Sequence, residues 1–192
     1  MRLFVAIPLA DAVARELTGL TARLRSGESR GATSPLRWTP PESWHMTVQF
    51  LGNATEQQLA CLKAQLSQVR AAPVPVKLGR LGCFDRAGVF FADVTVTPEL
   101  AALQRAVVAA TSLCGFSPES RPFHPHISLA RARGRGPDSH GRGPDLRALK
   151  TRIRSQPAFT PFTATEFVLY ESHLGDGPAQ YEARLLVPLR NG

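Results

Sequence analysis

The chain has 192 residues, 43% of them hydrophobic, and carries 23 lysines and arginines against 15 aspartates and glutamates, for a formal net charge of +8. That length suits one domain, or two small lobes sharing a core, and no run approaches the ~18 to 20 apolar residues needed to span a bilayer. The positive balance favours an anionic partner, and nucleic acid is the most economical candidate.

Residues 2–7 read as an opening strand. The apolar run from Met1 to Ala10 is preceded only by Arg2 and cut short by Asp11, which argues against a secretory segment and for a cytoplasmic protein. Val13, Leu17, Leu20 and Leu24 follow at helical spacing, and then Gly27, Gly31, Pro35, Pro40 and Pro41 break both patterns as a loop. A strand is expected over 44–51, ended by Gly52 and Asn53. Thr55 with Gln58 has the form of a capping box, and Leu59, Leu62, Leu66 and Val69 form the stripe of a second helix. Two strands over 74–84 and 89–97, turning at Gly88, come next. A third helix starts near Pro98 with Thr97 as cap and runs to Gly115. Cys61, Cys83 and Cys114 are odd in number and form no C-x-x-C pair. They imply neither a disulfide framework nor a zinc site, and Cys61 and Cys114 read as small buried residues in a reducing cytosol.

The strand at residues 44–51 contains His45-Met46-Thr47-Val48-Gln49-Phe50-Leu51-Gly52, and a later one contains His126-Ile127-Ser128-Leu129-Ala130-Arg131. In each, a histidine and a hydroxyl residue two apart project to one face while apolar neighbours take the other. Each follows a helix and a loop, so the order of elements suggests an internal duplication that delivers one histidine from each half to a shared cleft. After the second motif come Arg131, Arg133 and Arg135 among glycines. This is a basic loop over about 131–145, followed by a short helix with Leu146, Leu149 and Ile153 on its apolar face. Its place beside the second histidine suits phosphate contacts that position a polyanion without reading sequence. Strands over 163–170 and 181–189, joined at Gly175-Asp176-Gly177-Pro178, complete the chain.

Breaking a phosphodiester needs a base for the attacking oxygen and an acid for the departing one. Two imidazoles, with ordinary pKa values near 6.5, serve both tasks, each contributing roughly 10² to 10⁴ in rate. Thr47 and Ser128 are placed to hydrogen-bond non-bridging phosphate oxygens. Carboxylates with metal-ligand spacing are absent near either motif, so no metal and no cofactor is expected. His124 shares the parity of His126 and reads as support, and His173 has no motif around it.

These residues, with Leu36-Arg37-Trp38, the opening Arg2-Leu3-Phe4-Val5-Ala6-Ile7 and the late Leu169-Tyr170-Glu171-Ser172, resemble the two-histidine phosphoesterase superfamily, and within it the RNA 2′,3′-cyclic phosphodiesterase (2′-5′ RNA ligase) family. The resemblance implies an α+β fold over residues 1–192, bilobal, with two pseudo-symmetric lobes. Each lobe is a small antiparallel sheet packed on helices, and the active-site groove lies between them. It implies hydrolysis of an RNA terminal 2′,3′-cyclic phosphate to a 2′-phosphate without metal or nucleotide cofactor, and reversible 2′-5′ ligation in which a 5′-hydroxyl end attacks the cyclic phosphate. His45 would be the proton donor and His126 the proton acceptor. Arg131 would hold the terminal phosphate, although strict alternation places it opposite His126, so that a bulge is required. Phe4 would either stack on a base or serve as a core aromatic. Ser128 and Val48 stand where threonine and leucine are commoner. The implied partner is RNA bearing a cyclic phosphate end, met by a monomer with no membrane association. The alternatives are an esterase for 2′-5′ oligonucleotides or small nucleotide cyclic phosphates, and a non-catalytic RNA-binding module, for which salt-dependent binding without turnover would speak.

Overall fold

Alternation of apolar and polar residues produces strands, and the computed structural model describes residues 1–26, 36–132, 157–173 and 179–190, with 146, 149, 151 and 153 between them. The opening strand β1 (Arg2–Pro8) is buried from Leu3 to Ile7, as befits a central strand covered on both faces. The short β2 (Leu36–Trp38) precedes a 3₁₀ turn at Pro41–Ser43 and the first motif strand, β3 (His45–Asn53). After β4 (Val74–Val76), β5 (Leu78–Phe84) and β6 (Val89–Val94) comes the second motif strand, β7 (His126–Ala132). The chain ends with β8 (Phe162–Ala164), β9 (Glu166–His173) and β10 (Gln180–Pro188). One sheet runs β10-β9-β1-β3-β7-β6-β5 with β2 also on β7, and every pairing is antiparallel.

Helix α1 (Asp11–Ser26) buries Val13, Leu17, Leu20 and Leu24. Helix α2 (Glu56–Leu66) starts in the expected capping box, with Thr55 Oγ1 accepting from the Gln58 amide and the Gln58 side chain accepting from the Thr55 amide. Helix α3 (Pro98–Ser112) is capped by Thr97 with Pro98 in its first turn. The helical stripes and Leu3, Val5, Ile7, Met46, Val48, Ile127 and Leu129 form one core, so the helices take the odd-numbered face of β1. Among the described residues no helix is long and apolar enough to cross a membrane.

Three features depart from the sequence reading. Residues 74–84 are not one strand: β4 leaves at Lys77 to pair with β8 in a separate two-stranded sheet, where Pro75, lacking an N–H, is tolerated at an edge. A piece of the Gly/Pro loop is the strand β2, which takes the edge of β7 from Ala130 to Ala132 where β3 no longer covers it. Cys61 and Cys114 are not separate buried thiols but a disulfide, because α2 and α3 lie side by side and bring their Cα atoms to 5.8 Å. The basic loop after Ala132 and the turn at Gly175-Asp176-Gly177-Pro178 lie outside the described residues. Of the short helix expected after that loop, Leu146 and Leu149 are buried and Ile153 packs on the core.

Candidate active site

Strands β3 and β7 meet through a single paired position, Met46 opposite Ile127, and both side chains are buried toward the helices. With a side-chain period of two, His45, Thr47, His126 and Ser128 must then all face the other way. The antiparallel register sets Thr47 across from His126 and Ser128 across from His45, so the two imidazoles stand on a diagonal around the junction. All four are partly buried.

Each ring is held the same way. His45 Nδ1 lies 2.8 Å from the Ser43 carbonyl and His126 Nδ1 lies 2.8 Å from the His124 carbonyl. An acceptor two residues upstream assigns the proton to Nδ1 in both rings and leaves both Nε2 atoms, which have no hydrogen-bond partner among the described residues, available for proton transfer.

The site disfavours charge on either ring. Burial pushes the His45 pKa down to about 4, against the hydrogen bond to Ser43, and the charges of His126 and Arg131 push the same way. His126 is also lowered, chiefly by burial, with the His124 carbonyl opposing, then by the charges of His124 and Arg131, while Asp93 favours its protonated form. Both rings therefore register Arg131, and His45 registers His126: the three groups share one space. An anion seated there would restore the proton affinity of both imidazoles.

Arg131 reaches that space because β7 bulges. Ser128 pairs with Phe91 and Ala130 with Phe90, so Leu129 is the extra residue, and the buried pair Leu129 and Ala130 is followed by an exposed Arg131 on the histidine face. The same device recurs in β3, where Thr47 pairs with Ala6 and Gln49 with Val5. Val48 is the extra residue there, and Phe50, 50% exposed, occupies the place that Arg131 holds in β7.

Aromatic rings flank each histidine. Phe4 lies 4.7 Å from the His45 ring, stacks on Tyr170 at 5.3 Å and meets Tyr181 edge-on at 5.1 Å. At 4% exposure it is the floor under His45 and has no face left for a base, which corrects the stacking role considered for it. Tyr181 also stands edge-on to His45 at 5.0 Å. Beside His126, Phe84 and Phe91 stack at 4.2 Å and stand 5.0 and 5.4 Å from its ring. Phe91 lies flat because the residue opposite it is Gly82, where a Cβ would come within 2.7 Å of the ring. His124 supports the site doubly: its carbonyl anchors His126, and its Nε2 lies 2.9 Å from Asp93 Oδ1. Sequence reading missed Asp93, Tyr181 and Phe84, which come from hairpins whose placement beside β7 and β1 no local pattern specifies.

A second group of ligand-type side chains, Glu171, His173 and Glu182, lies on the β9–β10 hairpin with its donor atoms within 4.8 Å of one another. Arg184 already bonds Glu171 at 3.0 Å and reaches Glu182 at 3.4 Å, so both carboxylates are engaged from within the chain and one of their two charges is balanced.

Residues 9–176 match the profile of the 2′-5′ RNA ligase superfamily. The RNA 2′,3′-cyclic phosphodiesterase of Geobacillus stearothermophilus is 31% identical over 97% of this chain, which spans only 56% of that protein's length. The protein of the same name from Bacillus subtilis (strain 168) is 25% identical, with 93% of this chain and 91% of the relative covered. The fold is similar to that of E. coli LigT in its crystal structure with 3′-AMP (TM-score 0.78, 22% identity, 99% of this chain and 98% of that one). It also resembles the TT0787 protein of Thermus thermophilus (TM-score 0.74, 24% identity, with the same coverage).

Proposed function

Since this chain belongs to the 2′-5′ RNA ligase superfamily, we propose that it is an RNA 2′,3′-cyclic phosphodiesterase that opens a terminal cyclic phosphate to a 2′-phosphate by two-histidine acid–base catalysis. The observation that carries this reading is the diagonal of two imidazoles, each with Nδ1 tied to a carbonyl and Nε2 open, on one face of the β3–β7 junction. The phosphorus sits between them. One ring takes a proton from water as its oxygen bonds to phosphorus; the other donates a proton to the 3′ oxygen as the P–O3′ bond breaks, leaving a 3′-hydroxyl and a 2′-phosphomonoester. Thr47 and Ser128 donate to the non-bridging oxygens, and Arg131 balances the charge that builds on them. With a 5′-hydroxyl in place of water, the same two proton transfers form a 2′-5′ linkage as the P–O3′ bond breaks.

We assign His45 as proton donor and His126 as acceptor. The reverse order is a second reading with an observation in its favour: His45 is the ring pushed down to about 4, whereas Asp93 favours the protonated form of His126. A substrate with an aryloxide leaving group needs no acid, so the alanine variant that keeps its rate on such an ester marks the donor.

The same reading treats residues 1–192 as one domain of two duplicated halves. Its support is the shared sequence of histidine, hydroxyl and bulge in β3 and β7. We place the protein in the cytoplasm as a monomer acting on RNA. The Cys61–Cys114 bridge joins helices on the far side of the sheet, so its redox state leaves the histidine geometry in place. The test is an RNA oligomer ending in a 2′,3′-cyclic phosphate, offered in excess chelator to the wild type and to His45→Ala and His126→Ala. Metal-independent opening, slowed roughly 10²-fold or more in either variant, is expected. Turnover that stops with chelator or survives both substitutions refutes the mechanism.

A further inference from the structure

Arg37 of β2 pairs directly with Arg131 of β7, and both are exposed. Like charges facing each other across an antiparallel pair repel. Among the described residues the arginine ion pairs engage Arg121 and Arg184 and leave these two without a carboxylate. Opposed residues share a face of the sheet, so Arg37 lies on the histidine face with Arg131. The charges of Arg131, Arg37 and Arg2, in that order, all act on the hydroxyl of Tyr181, the ring that abuts His45.

The groove is therefore polar along its length. From the rung of His45 and Ser128, β7 leads to Arg131 and Arg37. From the rung of Thr47 and His126, the neighbouring position is Asp93. A polyanion threaded through the site must run over the arginine end and away from the carboxylate. Arg131 is engaged with the scissile group, and this leaves Arg37 facing whatever phosphate comes next.

We propose that Arg37 binds the phosphate one nucleotide upstream of the cyclic end, so that the preferred substrate is an oligonucleotide and not a mononucleotide cyclic phosphate. This rests on the cyclic phosphodiesterase reading and names the substrate class for that site. A bridging polyanion relieves the repulsion between Arg37 and Arg131.

The test compares wild type and Arg37→Gln on a short RNA with a 2′,3′-cyclic end and on the matching nucleoside 2′,3′-cyclic phosphate. On the oligomer the variant should raise KM roughly tenfold, the loss of one charge-assisted phosphate contact. On the mononucleotide, kcat/KM should change less than about twofold. The salt dependence of oligomer binding should flatten by about 0.7 in log–log slope, one single-strand phosphate. At low salt the variant should melt at the same temperature or higher, since a like-charge pair has gone, which separates the effect from damage to the fold. Equal losses on both substrates, or none on the oligomer, overturn the proposal. If the wild type opens neither substrate, the phosphodiesterase reading has failed on its own. Arg37 is then judged by binding alone, with an oligomer ending in a 2′-phosphate, where equal affinity of wild type and Arg37→Gln overturns it.

Discussion

Acidification should destabilise this protein through His45, by an amount the site itself sets. The ring has an ordinary pKa of 6.5 in the unfolded chain and about 4 in the fold, where burial is the main cause. The folded state thus binds this proton more weakly than the unfolded state, so stability is full above pH 6.5 and is lost as pH falls toward 4. The whole shift amounts to about 3 kcal/mol, and at pH 5 about 2 kcal/mol of it is already gone. His126 pulls in the same direction, so a single curve does not isolate His45. Denaturant unfolding at pH 7.5 and pH 5, on wild type and His45→Gln, does. The wild type should lose about 2 kcal/mol more than the variant over that interval. Parallel losses would mean that His45 is not held neutral by its surroundings, and the case for an anion restoring its proton would fall with it.

Other outcomes follow from the same geometry. Binding of sulfate, an anion that does not itself titrate near pH 6, should take up protons from the buffer at that pH, because it raises the proton affinity of two rings whose charged forms are disfavoured beforehand. Titration calorimetry in buffers of different ionisation enthalpy reads this, and zero uptake contradicts it. Asp93→Asn should lower the titration midpoint of the His126 ring further, since Asp93 favours its charged form; a midpoint followed by NMR that stays put or rises would reject that role. Gly82→Ala should cost ~1 to 3 kcal/mol by driving a methyl into the Phe91 ring, visible as a lower melting temperature. Replacing both Cys61 and Cys114 by serine should cost about 4 kcal/mol on the chain-entropy account for a separation of 53 residues, with turnover per folded molecule unchanged.

The helices and the motif strands were legible because their determinants are local. Thr55 and Gln58 announce the start of α2, Thr97 and Pro98 that of α3, and the period of two at His45-Met46-Thr47 and His126-Ile127-Ser128 fixes which side chains share a face. The boundaries drifted where competition between partners decided them: β6 ends at Val94 and not at 97, and β4 parts from β5 to join β8. Arg131 is the instructive case. Alternation alone puts it on the wrong face, and only the bulge at Leu129, set by how β6 matches β7, turns it toward the histidines.

What the residues dictated unaided was a pair of histidines beside hydroxyls on apolar-backed strands, with a positive charge suited to an anionic partner, because patterns of a few neighbouring residues encode which way side chains point. What tertiary pairing alone decided was everything that joins distant segments. Phe4 became a floor and not a stacking face, Cys61 found Cys114, Asp93 came to rest beside His126, and Arg37 came to oppose Arg131. Those contacts depend on strand register and helix packing across the whole chain, and register is a property of two partners that neither segment carries by itself.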